Sequence, residues 1–176
     1  RVLEWHDPLP GGLDAVGGLG GVKAWLAPRR AAFSARARAF GLPAPRGLLL
    51  VGVSGCGKSL TAKAVASAWG VPLLRMDVGA LRSKYVGDSE ANLRRALRLA
   101  EAVAPCVLWV DELEKAMAGA TQGAADGGVS ADALGALLSW MQDRKADVFV
   151  VATANEVRSL PPELCRKGRF DELFFV

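Results

Sequence analysis

A glycine-rich segment at residues 52–59 has the residue types and spacing of a phosphate-binding loop. Its three glycines allow backbone conformations in which successive N–H groups point at an anion. Lys58 would reach the terminal phosphates of a nucleotide, and the Ser59 hydroxyl would ligate the accompanying Mg²⁺. The alternative is a glycine-rich turn with an exposed lysine. The apolar run 48–51 before the segment and a helical pattern from Leu60 favour phosphate binding, because this motif lies between a strand and a helix.

Three more polar side chains follow apolar runs that have the length of buried strands. Asp111 and Glu112 follow the run 106–110, and Asn155 follows the run 148–153. Because ligands bind at the carboxyl ends of parallel strands, we expect these side chains near the phosphate-binding loop. There Asp111 could hold Mg²⁺, Glu112 could accept a proton from attacking water, and Asn155 could position that water. The alternative for the two acids is a solvated helix start, where the helix dipole favours carboxylates.

The elements that must position these residues alternate between strand and helix patterns. Strands are predicted at 48–51, 71–77, 106–110, 148–153 and 172–176. Helices are predicted at 22–40, where Pro28 forces a kink or a late start, and at 58–69, 89–103 and 130–144, with a short one between 161 and 168. Residues 1–21, which contain Pro8, Pro10 and many glycines, are expected to be extended or turning. The pattern predicts an α/β fold with a mainly parallel five-stranded sheet flanked by helices.

Composition narrows the classes of function. The excess of 22 Lys and Arg over 18 Asp and Glu is small, and four arginines at 29, 30, 36 and 38 fall within one predicted helix, so a solvated face is favoured over nucleic acid binding. No apolar run approaches the roughly 20 residues that span a bilayer, and no signal-peptide pattern begins the chain, so we predict a cytoplasmic protein without a membrane partner. Three widely spaced cysteines and a single histidine indicate no disulfide framework, zinc site or Ser-His-Asp chemistry.

Two arginines, Arg166 and Arg169, end the last short predicted helix. Cations at a helix C-terminus stabilise it by under about 1 kcal/mol, which is one role for them. The other role is that of arginine fingers. Because they lie on a different element from the phosphate-binding loop, they could reach the nucleotide of a neighbouring subunit.

The segments 52–59, 107–112 and 162–172, with Asn155 between the last two, resemble the AAA ATPases in order and spacing. The resemblance implies a P-loop NTPase fold of the AAA type, with ATP and Mg²⁺ as cofactors. It implies nucleotide contacts from Val16, Gly17, Gly52, Val53, Ser54, Gly55, Cys56, Gly57, Lys58, Ser59, Leu60 and Asp111. Among these, Ser59 and Asp111 would hold the metal. The implied catalytic residues are Glu112, Asn155, Arg166 and Arg169.

More narrowly, residues 81–87 and 109–115 resemble a group of AAA ATPases named for a conserved plastid and cyanobacterial reading frame. In AAA unfoldases a loop at the position of Tyr85 and Val86 grips a polypeptide in a central pore. The resemblance therefore implies a ring, usually a hexamer, that remodels a protein substrate. The alternative is a nucleotide-dependent switch or scaffold that threads nothing. Residues 142–144 depart from the family, since many members have an Asp-Gly-Phe relay there.

The same resemblance predicts the domain organisation. Residues 1–41 would form an N-terminal linker and the first helix of the module, and residues 42–176 the large αβ subdomain. The small helical lid subdomain that completes the nucleotide site in the family would be absent, since both ends of the chain have the pattern of cut ends. We therefore expect an ATPase that is weak or inactive as an isolated fragment.

Overall fold

The computed structural model describes residues 2–78, 88–115, 131–160, 162–166 and 168–176. Its strands are β1 (Leu3–His6), β2 (Gly47–Val51), β3 (Leu73–Met76), β4 (Cys106–Val110), β5 (Val148–Ala154) and β6 (Glu172–Phe175). Its α-helices are α1 (Gly20–Leu26), α2 (Ala35–Ala39), α3 (Lys58–Trp69), α4 (Asp88–Val103) and α5 (Ala131–Asp143). Short 3-10 helices cover Gly12–Ala15, Ala27–Ala31, Val157–Ser159 and Pro162–Cys165.

The strands form one sheet in the order β1-β3-β4-β5-β2-β6. All pairs are parallel except β1 with β3, so the predicted mainly parallel sheet is confirmed. The predicted number of five strands is wrong, because Leu3–His6 adds an antiparallel edge strand that pairs Leu3 with Met76 and His6 with Leu73. Only two of these four residues are apolar, and a Pro- and Gly-rich sequence follows them, so the strand depends on its partner and not on a strong local pattern.

Alternate residues of the central strands enter two hydrophobic clusters on opposite faces of the sheet. Leu48 and Leu50 of β2 pack with α1 and α3, whereas Leu49 and Val51 belong to the cluster that includes α4 and α5. Because side chains alternate across a strand, a run that is apolar at every position needs cover on both faces. Helices provide that cover on each side, which explains why β2, β4 and β5 are buried throughout.

The single helix predicted at 22–40, with a kink or late start at Pro28, is divided in the structure. The chain instead forms α1, a 3-10 helix over Ala27–Ala31 and then the short helix α2. Pro28 lacks the N–H that an α-helix interior requires, which ends the α-helical hydrogen bonding. The Ser34 hydroxyl then accepts a hydrogen bond from the Ala37 N–H at 3.2 Å and caps a new helix. A proline and a capping serine thus divide this segment into two helices.

Arg144, in the segment that departs from the family pattern, is buried. Its guanidinium donates hydrogen bonds to the carbonyl oxygens of Met141, Val148 and Arg46. Burial, with a smaller effect of the neighbouring Arg46 charge, lowers the pKa of Arg144 to about 10. The side chain therefore stays protonated at neutral pH and ties the end of α5 to the starts of β2 and β5. Arg144 therefore stabilises the starts of β2 and β5 through these hydrogen bonds.

We expect Gly47→Ala to destabilise the fold by about 2–3 kcal/mol, because overpacking at a closed site has costs of this size. A Cβ at Gly47 would lie inside van der Waals contact with the carbonyl oxygen of Val150 on the adjacent strand. Urea unfolding measures the change in free energy. Gly135→Ala is the matched control, since a Cβ there meets no atom within 4 Å and alanine stabilises a helix by roughly 0.5–1 kcal/mol over glycine. Equal effects of the two substitutions would contradict this packing argument.

Candidate functional site

The sheet order brings the predicted site residues to one edge of the molecule. Strands β4, β5 and β2 are parallel neighbours, so their carboxyl ends lie side by side. A cavity of about 420 Å³ opens there, and nine residues of the predicted site line it. They are Ser54, Gly55, Gly57, Lys58, Ser59, Leu60, Asp111, Glu112 and Asn155. The residues that follow three different strands therefore share one cavity.

The loop between β2 and α3 has the backbone of an anion-binding turn. Gly55 and Gly57 adopt φ angles of 86° and 92°, a region that favours glycine. Helix α3 begins at Lys58, immediately after Gly57, and the Thr61 hydroxyl donates to the Gly57 carbonyl oxygen at 2.9 Å. This arrangement directs the N-terminus of a 12-residue helix, with its partial positive charge, at the cavity.

The Lys58 side chain is buried within the loop and is only 8% exposed. Its ammonium donates to the carbonyl oxygens of Gly52 at 2.6 Å and Val53 at 2.7 Å. The third contact is to the Cys56 sulfur at 3.6 Å, a weak acceptor. Lys58 therefore places a positive charge beside the cavity and holds the curved backbone of the loop.

Asp111 is held from two sides. The Thr153 hydroxyl donates to its Oδ1 at 2.6 Å, and the guanidinium of Arg75, from β3, lies 3.3 Å from its Oδ2. Arg75 in turn stacks over the ring of Trp109, with 4.9 Å between the guanidinium carbon and the ring centre. The carboxylate therefore sits between a buried hydroxyl and a cation whose own position is fixed by an aromatic ring.

The other two polar side chains contact the helical residues 113–115, which follow β4. The Glu112 Oε2 forms an ion pair with Lys115 at 2.6 Å, and this partner raises the pKa of Lys115 above its usual value. The Glu114 Oε1 accepts from the backbone N–H of Asn155 at 3.2 Å and from its side-chain Nδ2 at 2.7 Å. Two consecutive residues, Glu114 and Lys115, thus contact Asn155 and Glu112 respectively.

The remaining predicted site residues lie elsewhere. Val16 is buried and Gly17 exposed, and neither lines the cavity. Arg166 is exposed, while the Arg169 guanidinium donates to the Glu163 carbonyl oxygen, and neither lines the cavity. Gly52, Val53 and Cys56 belong to the loop without lining the cavity. Tyr85 and Val86 lie outside the described residues.

Sequence reasoning missed the residues that contact the two acids and Asn155: Arg75, Glu114, Lys115 and Thr153. One signal was available for Thr153, since it is the single hydroxyl residue in the run Val148–Ala154, and a buried polar side chain needs a hydrogen-bond partner. Arg75 gives the same signal as a charge within β3. Neither signal identifies the partner, which lies on another strand.

This fold and site are those of a P-loop NTPase, and the sequence comparison agrees with that class. Residues 48–176 match the model of the family described as the ATPase family associated with various cellular activities (AAA), so the chain belongs to this family. It is 49% identical over 176 residues to the AAA domain-containing protein ycf46 of Guillardia theta, a match that covers 100% of this chain and 34% of that protein. The ycf46 protein of Pyropia yezoensis is 51% identical over 177 residues, which cover 100% of this chain and 35% of that protein.

A more distant relative is the putative ribosome biogenesis ATPase nvl of Dictyostelium discoideum. It is 34% identical over 170 residues, which cover 93% of this chain and 20% of that protein. The chain thus spans about a third of the length of the ycf46 proteins and less of this ATPase. Within the described ranges, no helix combines the length and apolar character that a bilayer crossing requires.

Proposed function

We propose that this chain binds ATP with Mg²⁺ and hydrolyses it, as one subunit of a six-membered ring that remodels a protein substrate. The observation that carries the proposal is the cavity of about 420 Å³ in which the glycine-rich loop, Lys58, Ser59, the two acids and Asn155 meet. Its volume lies within the roughly 300–1,000 Å³ of small-molecule sites. Membership of the AAA family supports nucleotide binding at this cavity.

The binding step rests on the loop and the start of α3. Backbone N–H groups of the loop and the helix N-terminus would hold the phosphates. A phosphate oxygen would replace the weak Cys56 sulfur contact of Lys58, while the two carbonyl contacts keep the ammonium in place. Val16 and Gly17 would lie against the adenine, an assignment that rests on the family resemblance alone.

The side chains beside the loop fit a magnesium ion. Ser59 and Asp111 both line the cavity, and the hard oxygen ligands that a hydroxyl and a carboxylate offer suit Mg²⁺. A carboxylate has about four lone-pair positions, of which Thr153 and Arg75 use two in Asp111. Lone pairs therefore remain for a cation. When bound, Mg²⁺ supplies positive charge that offsets the charge of the phosphates.

Hydrolysis needs a base and a group that orients water. The Oε2 of Glu112 contacts Lys115, which leaves Oε1 to accept a proton from water. The water oxygen then bonds to the γ-phosphorus, the bond from that phosphorus to the β-phosphate oxygen breaks, and ADP and phosphate leave. The Asn155 Nδ2 donates to Glu114. The Asn155 Oδ1 therefore remains to accept a hydrogen bond from that water.

The proposed ring and its substrate involve four further residues. Arg166 and Arg169 do not line the cavity of their own chain, which suits arginine fingers directed at a neighbouring subunit's nucleotide. Tyr85 and Val86 would contact a protein substrate in the pore, an assignment carried by the family resemblance.

ATP binding and hydrolysis, measured against chain concentration, test the proposal. We expect a fluorescent ATP analogue to bind more tightly with Mg²⁺ than without it, and hydrolysis per chain to be low at dilution. Hydrolysis per chain should rise steeply as larger species appear by light scattering, because Arg166 and Arg169 act in trans. Absence of ATP binding would overturn the whole proposal, whereas hydrolysis per chain that is independent of concentration would overturn the ring.

A further inference from the structure

We infer that Thr153 is the positioning residue of the acidic pair: its hydroxyl orients the Asp111 carboxylate and the Glu112 backbone for Mg²⁺-ATP. This inference rests on the proposed function, since it concerns how the same cavity receives the metal. Thr153 lies in β5, is 0% exposed, and reaches across to the residues that follow β4. Nothing in the phosphate-binding loop contributes to this contact.

The hydrogen-bond directions at Thr153 are fixed by chemistry. The Glu112 N–H can only donate, so the Thr153 oxygen accepts its hydrogen at an N–O distance of 3.0 Å. The hydroxyl hydrogen is then left to donate to the Asp111 Oδ1 at 2.6 Å. A threonine side chain is stiff at χ1 because its Cβ is branched. One rigid group therefore sets both the orientation of the Asp111 carboxylate and the direction of the next peptide N–H.

The backbone at Glu112 explains why such a group is needed. Glu112 has a φ of 52°, in the left-handed region that non-glycine residues seldom adopt. A conformation of this kind persists only where its surroundings hold it. The Thr153 hydroxyl accepts the N–H of this residue, and Lys115 forms an exposed ion pair with its carboxylate. The turn therefore keeps Glu112 at the cavity because β5 supplies a hydroxyl at this point.

Arg75 completes the restraint on Asp111 without duplicating the Thr153 contact. It contacts Oδ2, whereas Thr153 contacts Oδ1. Without the hydroxyl, the carboxylate is free to rotate toward the Arg75 guanidinium and to use both oxygens there, as paired carboxylates and guanidinium groups commonly do. Lone pairs that would face a metal then accept hydrogen bonds from the arginine. Loss of the hydroxyl should therefore reduce the gain in ATP affinity from Mg²⁺ more than it reduces the affinity for ATP without Mg²⁺.

The test compares Thr153→Val with Thr153→Ser in the full chain. Valine keeps the shape of threonine but lacks the hydroxyl, whereas serine keeps the hydroxyl. The first readout is the affinity for a fluorescent ATP analogue with and without Mg²⁺. For Thr153→Val we expect the gain in affinity from Mg²⁺ to fall by about tenfold, because a group that orients a metal ligand affects metal affinity on this scale. Affinity without Mg²⁺ should change by less than about threefold, and Thr153→Ser should restore the gain.

The second readout separates kcat from KM. In Thr153→Val kcat should fall by about 10- to 100-fold, while Thr153→Ser stays within about threefold of the unchanged chain. Should Thr153→Val fail to fold, Thr153→Ala takes its place, since it sets no methyl group against the carboxylate. Ser34→Ala is the structural control, since it removes a helix-capping hydroxyl that does not line the cavity. It should lower thermal stability without altering the gain in ATP affinity from Mg²⁺.

The possible failures can be told apart. If the wild-type chain binds no ATP, the proposed function is overturned, and the role of Thr153 with it. The second failure concerns Thr153 alone. If the wild-type chain binds and hydrolyses Mg²⁺-ATP, and Thr153→Val matches it in kcat and in the gain in affinity from Mg²⁺, only the role of Thr153 is overturned. Equal loss of affinity with and without Mg²⁺ in Thr153→Val also overturns that role, because it indicates general damage to the cavity.

Discussion

Glu112→Gln should lower the kcat of ATP hydrolysis by at least about 100-fold, because a positioned general base contributes about 10²- to 10⁴-fold to such a reaction. Glutamine has nearly the shape of glutamate but cannot accept the proton of the attacking water. Glu112 is one of the residues that line the cavity, whereas the phosphates would be held by the loop and Lys58. The affinity for ATP should therefore stay within about threefold of the unchanged chain.

Initial rates of phosphate release and a binding titration on the same samples measure the two quantities. Glu172→Gln is the matched control, since Glu172 is exposed and pairs in register with Leu48 near the start of β2, away from the strand ends that form the cavity. Rates should be unchanged in that variant. If Glu112→Gln hydrolyses ATP as fast as the Glu172→Gln control, Glu112 is not the base.

Lys58→Met should weaken ATP binding by about 100-fold or more. Hydrogen bonds to charged groups contribute roughly 1.5–3 kcal/mol each, and tenfold in affinity corresponds to about 1.4 kcal/mol. Methionine keeps much of the buried aliphatic stem but loses the ammonium that would contact the phosphates. It also leaves the carbonyl groups of Gly52 and Val53 without their donor, so the loop loses part of its support.

Isothermal titration with ATP and with adenosine separates these two effects. A lost phosphate contact weakens ATP binding far more than adenosine binding, whereas general unfolding abolishes both. Lys63→Met removes a lysine from the same helix and serves as the control; Lys63 does not line the cavity. ATP binding by Lys58→Met that matches this control would remove Lys58 from the phosphate site.

The strands that hold the site could be predicted because they are apolar at every position. The runs in β2, β4 and β5 leave no solvent-facing side, and burial on both faces implies a parallel sheet covered by helices. The edge strand Leu3–His6 lacked this signal, and its existence depends on pairing with β3. The helix predicted at 22–40 carried a kink or late start at Pro28, but the structure divides it into two helices, because the Ser34 hydroxyl caps a new helix after the 3-10 segment.

Local sequence also assigned Gly52 to the phosphate-binding loop, and the structure adds a second reason for a glycine there. A Cβ at Gly52 would collide with the carbonyl oxygen of Val176, next to the end of β6, and would crowd the Cys56 sulfur. Close packing with a segment more than a hundred residues away therefore requires glycine at a position that the motif alone attributes to anion binding. Sequence identified the residue, but only the fold shows this use of it.

The sequence by itself determined which groups can do chemistry and where each stands on its own element. A glycine-rich loop between a strand and a helix, acids after one strand and an amide after another are local features, fixed by residues next to each other in the chain. The tertiary structure decided their arrangement, because it places β5 between β2 and β4 and so sets Asn155 between the loop and the acids. The tertiary structure also brings together Thr153 and Asp111, whose side chains form a hydrogen bond although they lie 42 positions apart in the sequence. No local pattern specifies such a contact, since the order of strands in a sheet depends on how all of them pack together.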